Sequence, residues 1–334
     1  MYFDFTRKLE GILEGVPTCM IIPHKNPDAD ALGSSMALYS FLVKLGKKAK
    51  VVLPNSPPSY LEWMIKKRDV IIYENNPEKT KKHLSKSEII FALDFNSLRR
   101  IGSLEKEIEN VDAPIIMIDH HESPENFSTL SISKPEIGST CEMIYNIIKL
   151  IKIELIDKEI CTYIYSGILT DTGSFRYPLT TGNTHTIISE LFKKGINHTK
   201  IHENIFDNFS LTRSYLLAVA LKKMKKISGL GVVYTILTKE ELEKHNFKKG
   251  DTEGFVNFGL KIKGIHVSVI FIQDIFENIF KVSFRSKQNI DVNKFAKKYF
   301  NGGGHKNASG GFSYDPIKET ERKFISSIRE FLRK

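Results

Sequence analysis

The stretch Cys19-Met20-Ile21-Ile22-Pro23-His24-Lys25-Asn26-Pro27-Asp28-Ala29-Asp30-Ala31-Leu32-Gly33-Ser34 drives an apolar run of strand length straight into a loop holding one histidine and two aspartates. Beyond it, residues 31–44 carry Leu32, Met36, Tyr39 and Leu42 or Val43 on one face, a period that predicts a helix. The same order recurs downstream. Apolar runs at 49–53, 70–73, 89–93 and 115–118 predict further strands, with amphipathic segments between several of them. Short strands alternating with helices predict an α/β fold, a mostly parallel doubly wound sheet covered on both faces. Helical patterns follow at 139–151, 157–169, 183–194 and 212–225.

After about residue 226 the pattern changes. Runs at 231–237, 266–273 and 281–285 predict strands, and 240–244, 251–260, 291–299 and 317–332 predict helices, a second and smaller α/β unit. The expected organisation is 1–195, a helical Lys-rich linker at 196–226, and 227–334. With 334 residues, 41% hydrophobic and 26% charged, the chain is neither disordered nor fibrous. Its apolar runs are too short to span a bilayer. Its start has no apolar segment, so neither a signal peptide nor a membrane partner is expected, and the cytoplasm is the expected location. Cys19, Cys141 and Cys161 make no CxxC pair and read as buried reduced thiols. A net charge of +10 suits an anionic partner, yet 39 of the 49 basic residues are lysines spread along the chain. The clusters Lys66-Lys67-Arg68 and Lys222-Lys223-Met224-Lys225-Lys226 read as solvated helix faces. Long duplex nucleic acid is therefore not expected as a partner.

Acids and histidines collect where strands end. His24, Asp28 and Asp30 follow 19–23, Asp94 follows 89–93, and Asp119-His120-His121 follows 115–118; the helical run 163–170 ends in Asp171-Thr172-Gly173. Taken singly, an aspartate after a strand is a common turn residue, and Asp30 would serve as the N-cap of 31–44. Jointly they point at one crevice, because open α/β sheets bind ligands beyond the carboxyl ends of their strands. His24, Asp28, Asp30, Asp94, His120 and Asp171 make six donors, too many for one four-coordinate zinc. They suit two divalent cations sharing a carboxylate, with Mn²⁺ favoured over Mg²⁺, Co²⁺ or Fe²⁺ by the mixed carboxylate and imidazole set. Such a pair catalyses in-line displacement at phosphorus, so the site reads as that of a phosphoester hydrolase.

His24-x-x-Pro27-Asp28-x-Asp30-x-x-Gly33-Ser34, Asp94, Asp119-His120-His121 and Asp171-Thr172-Gly173 resemble the four motifs of the DHH phosphoesterases. Val282-Ser283-Phe284-Arg285-Ser286 with Gly302-Gly303-Gly304-His305-Lys306-Asn307-Ala308-Ser309-Gly310 resembles the accessory DHHA1 domain of the same family. The resemblance implies that His24, Asp28 and Asp94 hold one Mn²⁺. It implies Asp30, Asp94, His120 and Asp171 for the other, with Asp94 shared. By the same resemblance His121 faces the substrate phosphate as electrophile or general acid, and Asp119 orients the neighbouring histidines. Ala29 stands where many relatives carry glycine; no ligand position is replaced.

On its own the triple glycine is a flexible turn or a backbone nest for an anion, the turn being the commoner case. The resemblance implies that Arg285, Ser286, Gly303, Gly304 and His305 grip a terminal phosphate and its nucleotide. A phosphate clamp set at a fixed distance from the metals would select short chains. The expected substrates are dinucleotides and other short oligoribonucleotides, pApA among them, with pAp hydrolysed to AMP. The alternatives are a cyclic-di-AMP (c-di-AMP) phosphodiesterase of second-messenger turnover and, from another class, a nucleotide-binding regulator without turnover. A family inorganic pyrophosphatase would lack the glycine-rich segment, and a RecJ-like exonuclease would carry a further domain. The resemblance also admits a homodimer, which no segment of the sequence demonstrates.

Overall fold

In the computed structural model, which describes residues 2–66, 70–248, 250–275, 277 and 279–333, the chain divides into two compact units, Met1–Asn208 and Phe209–Lys334. The first unit runs α1 (Tyr2–Glu14), β1 (Thr18–Pro23), α2 (Ala29–Lys44), β2 (Lys48–Leu53), β3 (Val70–Ile72), α3 (Pro77–Leu84), β4 (Ile89–Leu93), α4 (Glu105–Ile108), β5 (Ile115–Asp119), β6 (Leu130–Ser133), α5 (Thr140–Lys152), α6 (Lys158–Asp171), α7 (Gly182–Lys193) and α8 (His198–Phe206). Its six strands are all parallel, in the order β3-β2-β1-β4-β5-β6. Alternate side chains feed two cores. Cys19, Ile21, Phe91, Leu93, Ile116 and Ile118 pack under α1, α2, α5 and α6. Met20, Ile22, Ile90, Ala92, Ile115 and Met117 pack on the other face. Burial of both faces is what makes these strands continuous apolar runs, and it confirms the doubly wound sheet.

The second unit holds α9 (Leu211–Lys222), β7 (Lys225–Ile227), β8 (Val232–Leu237), α10 (Lys239–Lys244), β9 (Val267–Gln273), β10 (Phe280–Ser286), α11 (Val292–Tyr299), β11 (Gly303–His305), β12 (Ala308–Ser313) and α12 (Ile317–Leu332). Its sheet is ordered β11-β12-β10-β9-β8-β7, with β8 and β9 parallel and the other pairs antiparallel. Phe271, Phe284, Phe295, Phe300 and Phe324 form an aromatic core with α11 and α12 on one face.

The helical stretch at 196–226 is shared between the units. Ile201 and Ile205 of α8 join the first core, whereas Leu216 and Ala220 of α9 pack with Leu237 and Ile270 of the second. The helix expected over 251–260 is instead a turn followed by a 3-10 helix, Phe255–Lys261, because Gly254 takes a left-handed φ of 76°. The helix expected over 212–225 stops at Lys222, and Lys225 and Lys226 belong to β7. That lysine run is therefore no single helix face. Of the cluster at 66–68, Lys67 and Arg68 lie outside the described residues. Among the described residues no helix is long and apolar enough to cross a membrane.

Candidate two-metal site

The site grows from the carboxyl ends of β1, β4 and β5, with α6 closing it. Asp28, not Asp30, caps α2: one of its carboxylate oxygens accepts from the Asp30 and Ala31 N–H groups, both at 3.0 Å. Its other oxygen lies 3.9 Å from His24 Nε2. Asp30, fully buried, serves a different helix. It accepts from Thr140 N at 2.7 Å and Cys141 N at 2.9 Å, the first amides of α5, where the helix dipole favours an anion. The cap expected of Asp30 falls to Asp28, and Asp30 instead meets the N-terminus of α5 across the fold.

Asp94 ends β4 with a φ of 64°, a left-handed conformation rare for a side-chain-bearing residue and common where function demands it. Its two oxygens point to two histidines, Oδ2 to His24 Nε2 at 3.4 Å and Oδ1 to His120 Nε2 at 3.5 Å. His120 Nε2 also lies 3.4 Å from Asp171 and 3.9 Å from Asp30. Within the first unit, three groups of donors therefore have ligand atoms within 4.8 Å of one another among the described residues: His24, Asp28 and Asp94; Asp30, His120 and Asp171; and Asp94, Asp119 and His121. Every first-unit residue that the sequence singled out falls in one of them.

The donor set suits divalent cations in both tautomer and charge. His24 Nδ1 lies 2.9 Å from Lys25 O and His120 Nδ1 lies 3.1 Å from Ile137 O. A carbonyl only accepts, so each Nδ1 carries a proton, and each Nε2 is the ring atom aimed at the acids, placed to ligate a cation in exchange for its own proton. Burial and the charges of Asp94 and Asp171 push the Asp30 carboxyl well up, and burial lifts Asp171 to about 6 despite its hydrogen bond with His120. Asp94 is held low against its burial by its hydrogen bond to His24 and by the three histidines around it. Burial opposes charge on His120, yet the hydrogen bond to Asp171 and the charge of Asp94 raise it well above its ordinary range. Such crowding of anions is relieved by positive charge at their centre.

Asp119, the last residue of β5, accepts from His121 Nδ1 at 2.7 Å and from its backbone N–H at 3.0 Å. Burial, aided by the positive charge of Arg100, shifts His121 downward against its hydrogen bond to Asp119.

Two residues that the sequence reading passed over complete the site. The Thr140 hydroxyl donates to Asp94 Oδ1 at 2.8 Å. Gly167 on α6 leaves no room for a side chain: a Cβ there would sit 2.6 Å from Asp30 Oδ1 and overlap Cys141 Sγ. The only cue in the sequence was Ser139-Thr140-Cys141-Glu142, whose Ser139 caps α5 by accepting from Glu142 N.

In the second unit Gly303–His305 is neither a turn nor a free loop but strand β11, paired with β12 as Gly303↔Gly310, Gly304↔Ser309 and His305↔Ala308. Its glycines differ. A Cβ on Gly302 would collide with the Gly310 carbonyl. Gly304 takes a φ of 137° with Ala308 O only 2.6 Å from a Cβ. Around Gly303 there is open space. Arg285 on β10 is half-buried beside this hairpin, in register with Ala308. Ser286 is buried, and its hydroxyl donates to Ile290 O at 2.6 Å and accepts from Asn307 at 2.8 Å. These bonds tie the loop after β10 to the hairpin turn.

An acid-and-imidazole rim on a parallel sheet, followed by a glycine hairpin unit, defines a phosphoester hydrolase of the DHH class. The family models agree: residues 18–168 match the DHH family N-terminal domain and residues 229–334 match the DHHA1 domain. The chain is 30% identical to the bifunctional oligoribonuclease and PAP phosphatase NrnA of Thermus thermophilus, over 99% of this chain and 95% of that protein. It is 29% identical to a probable bifunctional oligoribonuclease and PAP phosphatase NrnA of Streptococcus mutans, over 90% of this chain and 91% of that one. A crystal structure of an exopolyphosphatase-related protein from Bacteroides fragilis superposes with a TM-score of 0.93 at 36% identity, covering 98% of this chain and 96% of the other. The chain belongs to the DHH/DHHA1 phosphoesterase family and is a hydrolase of phosphate esters.

Proposed function

We propose that this chain hydrolyses short oligoribonucleotides, dinucleotides and pApA among them, to mononucleotides and pAp to AMP, with Mn²⁺ bound at the strand-end rim. The observation that carries the reading is Asp94, whose two carboxylate oxygens face two separate histidine-and-aspartate clusters. His24, Asp28 and Asp94 would hold one cation; Asp30, His120 and Asp171, with Asp94 shared, would hold the other. Bound there, the ions would lower the pKa of a water and neutralise charge on the phosphoryl oxygens. The chain's own groups do the rest. Thr140 and the α5 amides lock the carboxylates of Asp94 and Asp30 in place. Asp119 fixes the His121 ring through Nδ1, which turns Nε2 into the atom that would meet the phosphate. An arriving phosphate anion raises the proton affinity of that ring, so His121 could then donate to the departing oxygen. Arg285 and the open backbone at Gly303 are proposed to bind a nucleotide phosphate, the guanidinium through paired hydrogen bonds. The names of the two enzymes above support this substrate class.

The test is turnover with Mn²⁺ on pApA, a di- to pentaribonucleotide ladder, pAp and c-di-AMP. Fastest release of mononucleotides from the shortest RNAs, with AMP from pAp, is the expected result. Fastest cleavage of c-di-AMP would replace the reading with second-messenger turnover, and tight nucleotide binding without product would replace it with a regulator.

A further inference from the structure

His24 and Asp28 lie on one short loop, and the residue midway between them is Asn26, held at a φ of 55°. A left-handed residue between two members of one cluster must be fixed by something, because small changes in its φ and ψ swing both neighbours. The group that fixes it comes from another strand. Asn55, two residues past β2 and 1% exposed, accepts from the Asn26 backbone N–H through Oδ1 at 2.6 Å. Its Nδ2 donates to Asn26 Oδ1 at 3.3 Å and to Ser56 O at 2.8 Å. The two asparagines therefore grip each other through two antiparallel hydrogen bonds, and the third bond anchors the clamp to its own chain. On the near side of the loop, Lys25 N donates to Arg100 O at 2.7 Å, so the 24–28 segment is tied to the segments that follow both strands flanking β1.

We infer that Asn55 is a positioning residue: by clamping Asn26 it presets the separation of His24 and Asp28 for a divalent cation. Among the described residues the Asn55 side chain bonds Asn26 and Ser56 rather than a member of the acid cluster, so its influence runs through the Asn26 backbone. Asn55 is itself rigidly packed, and removing its side chain takes away the acceptor that holds the Asn26 N–H at a left-handed φ, so the loop would relax to other backbone states. The inference rests on the proposed metal reading for its consequence, and on the hydrogen bonds alone for the clamp.

The test uses the full chain in two states. In metal-free protein, hydrogen–deuterium exchange over a peptide spanning 24–30 reads the clamp itself; calorimetric titration with MnCl₂ reads its consequence. Asn55→Ala is expected to speed exchange in that peptide and weaken Mn²⁺ binding by about 10–100-fold, the usual effect of removing a group that supports a ligand. Asn55→Asp keeps an oxygen to accept from Asn26 N–H but loses both donated bonds, so it is expected to restore part of the protection, and it also covers the case in which the alanine variant folds poorly. Unchanged exchange and unchanged affinity in Asn55→Ala would overturn the inference, as would an aspartate variant no better protected than the alanine one. If the wild-type chain bound no Mn²⁺, the metal reading would fall, while the exchange comparison would still decide the clamp.

Discussion

The candidate sites of the two units are built from opposite materials. In the first, charged side chains stand buried at the ends of parallel strands, Asp30 pinned by amides of α5, Asp94 by the Thr140 hydroxyl and Asp119 by the ring and backbone N–H of His121. In the second, the candidate contacts are a half-buried arginine and bare backbone on a glycine hairpin. A cation site needs ligand atoms held to a fraction of an ångström, which only a packed core supplies. An anion contact through backbone and guanidinium tolerates looser support, and an exposed hairpin provides it.

The comparison breaks most visibly at Asp94. Asp94→Ala removes the carboxylate shared by both clusters. Turnover with Mn²⁺ should fall by about 10³-fold or more, roughly 4 kcal/mol of transition-state stabilisation. Circular dichroism should be unchanged, and near-normal kcat would remove the two-cation scheme. Next in size is Arg285→Ala, which belongs to the grip rather than the chemistry. It is expected to weaken substrate binding by about 2–3 kcal/mol, read as a raised KM with kcat largely kept. A fall confined to kcat would place Arg285 in the reacting centre instead.

Smaller effects sharpen the contrast within each unit. Thr140→Val is nearly isosteric but deletes the donor to Asp94 Oδ1, and calorimetry should show Mn²⁺ affinity lowered by about 10-fold. The hairpin makes its own internal control. Gly302→Ala drives a Cβ into the Gly310 carbonyl and should destabilise the chain by about 1–3 kcal/mol in a denaturant titration. Gly303→Ala meets open space, so it should leave the unfolding midpoint alone and disturb only nucleotide binding. Equal losses of stability in the two variants would show that Gly303 too is there for packing.

Much of the first unit was legible because both faces of its sheet are buried. Continuous apolar runs such as Ile89–Leu93 and Ile115–Asp119 announce such strands, and the acids stand out where the runs stop. Elements with weak local signals were not legible. β6, Leu-Ser-Ile-Ser, offers two apolar residues at a sheet edge, and β11, Gly-Gly-His, has no strand propensity at all. Both are strands because a neighbour's register makes them so. The 3-10 helix at Phe255–Lys261 was read as α because periodicity does not register the left-handed φ of Gly254.

Residue types and their order along the chain were enough to set the parallel fold, the inventory of candidate ligand atoms and the expectation of two-ion chemistry, since burial pattern and donor chemistry are local properties. Which carboxylate caps which helix, that Thr140 and Gly167 shape the rim, and that Ser286 braces a loop were decided only when distant segments packed together. Hydrogen bonds and steric limits between residues more than a hundred positions apart, as between Asp30 and Cys141, leave no periodic trace in a sequence.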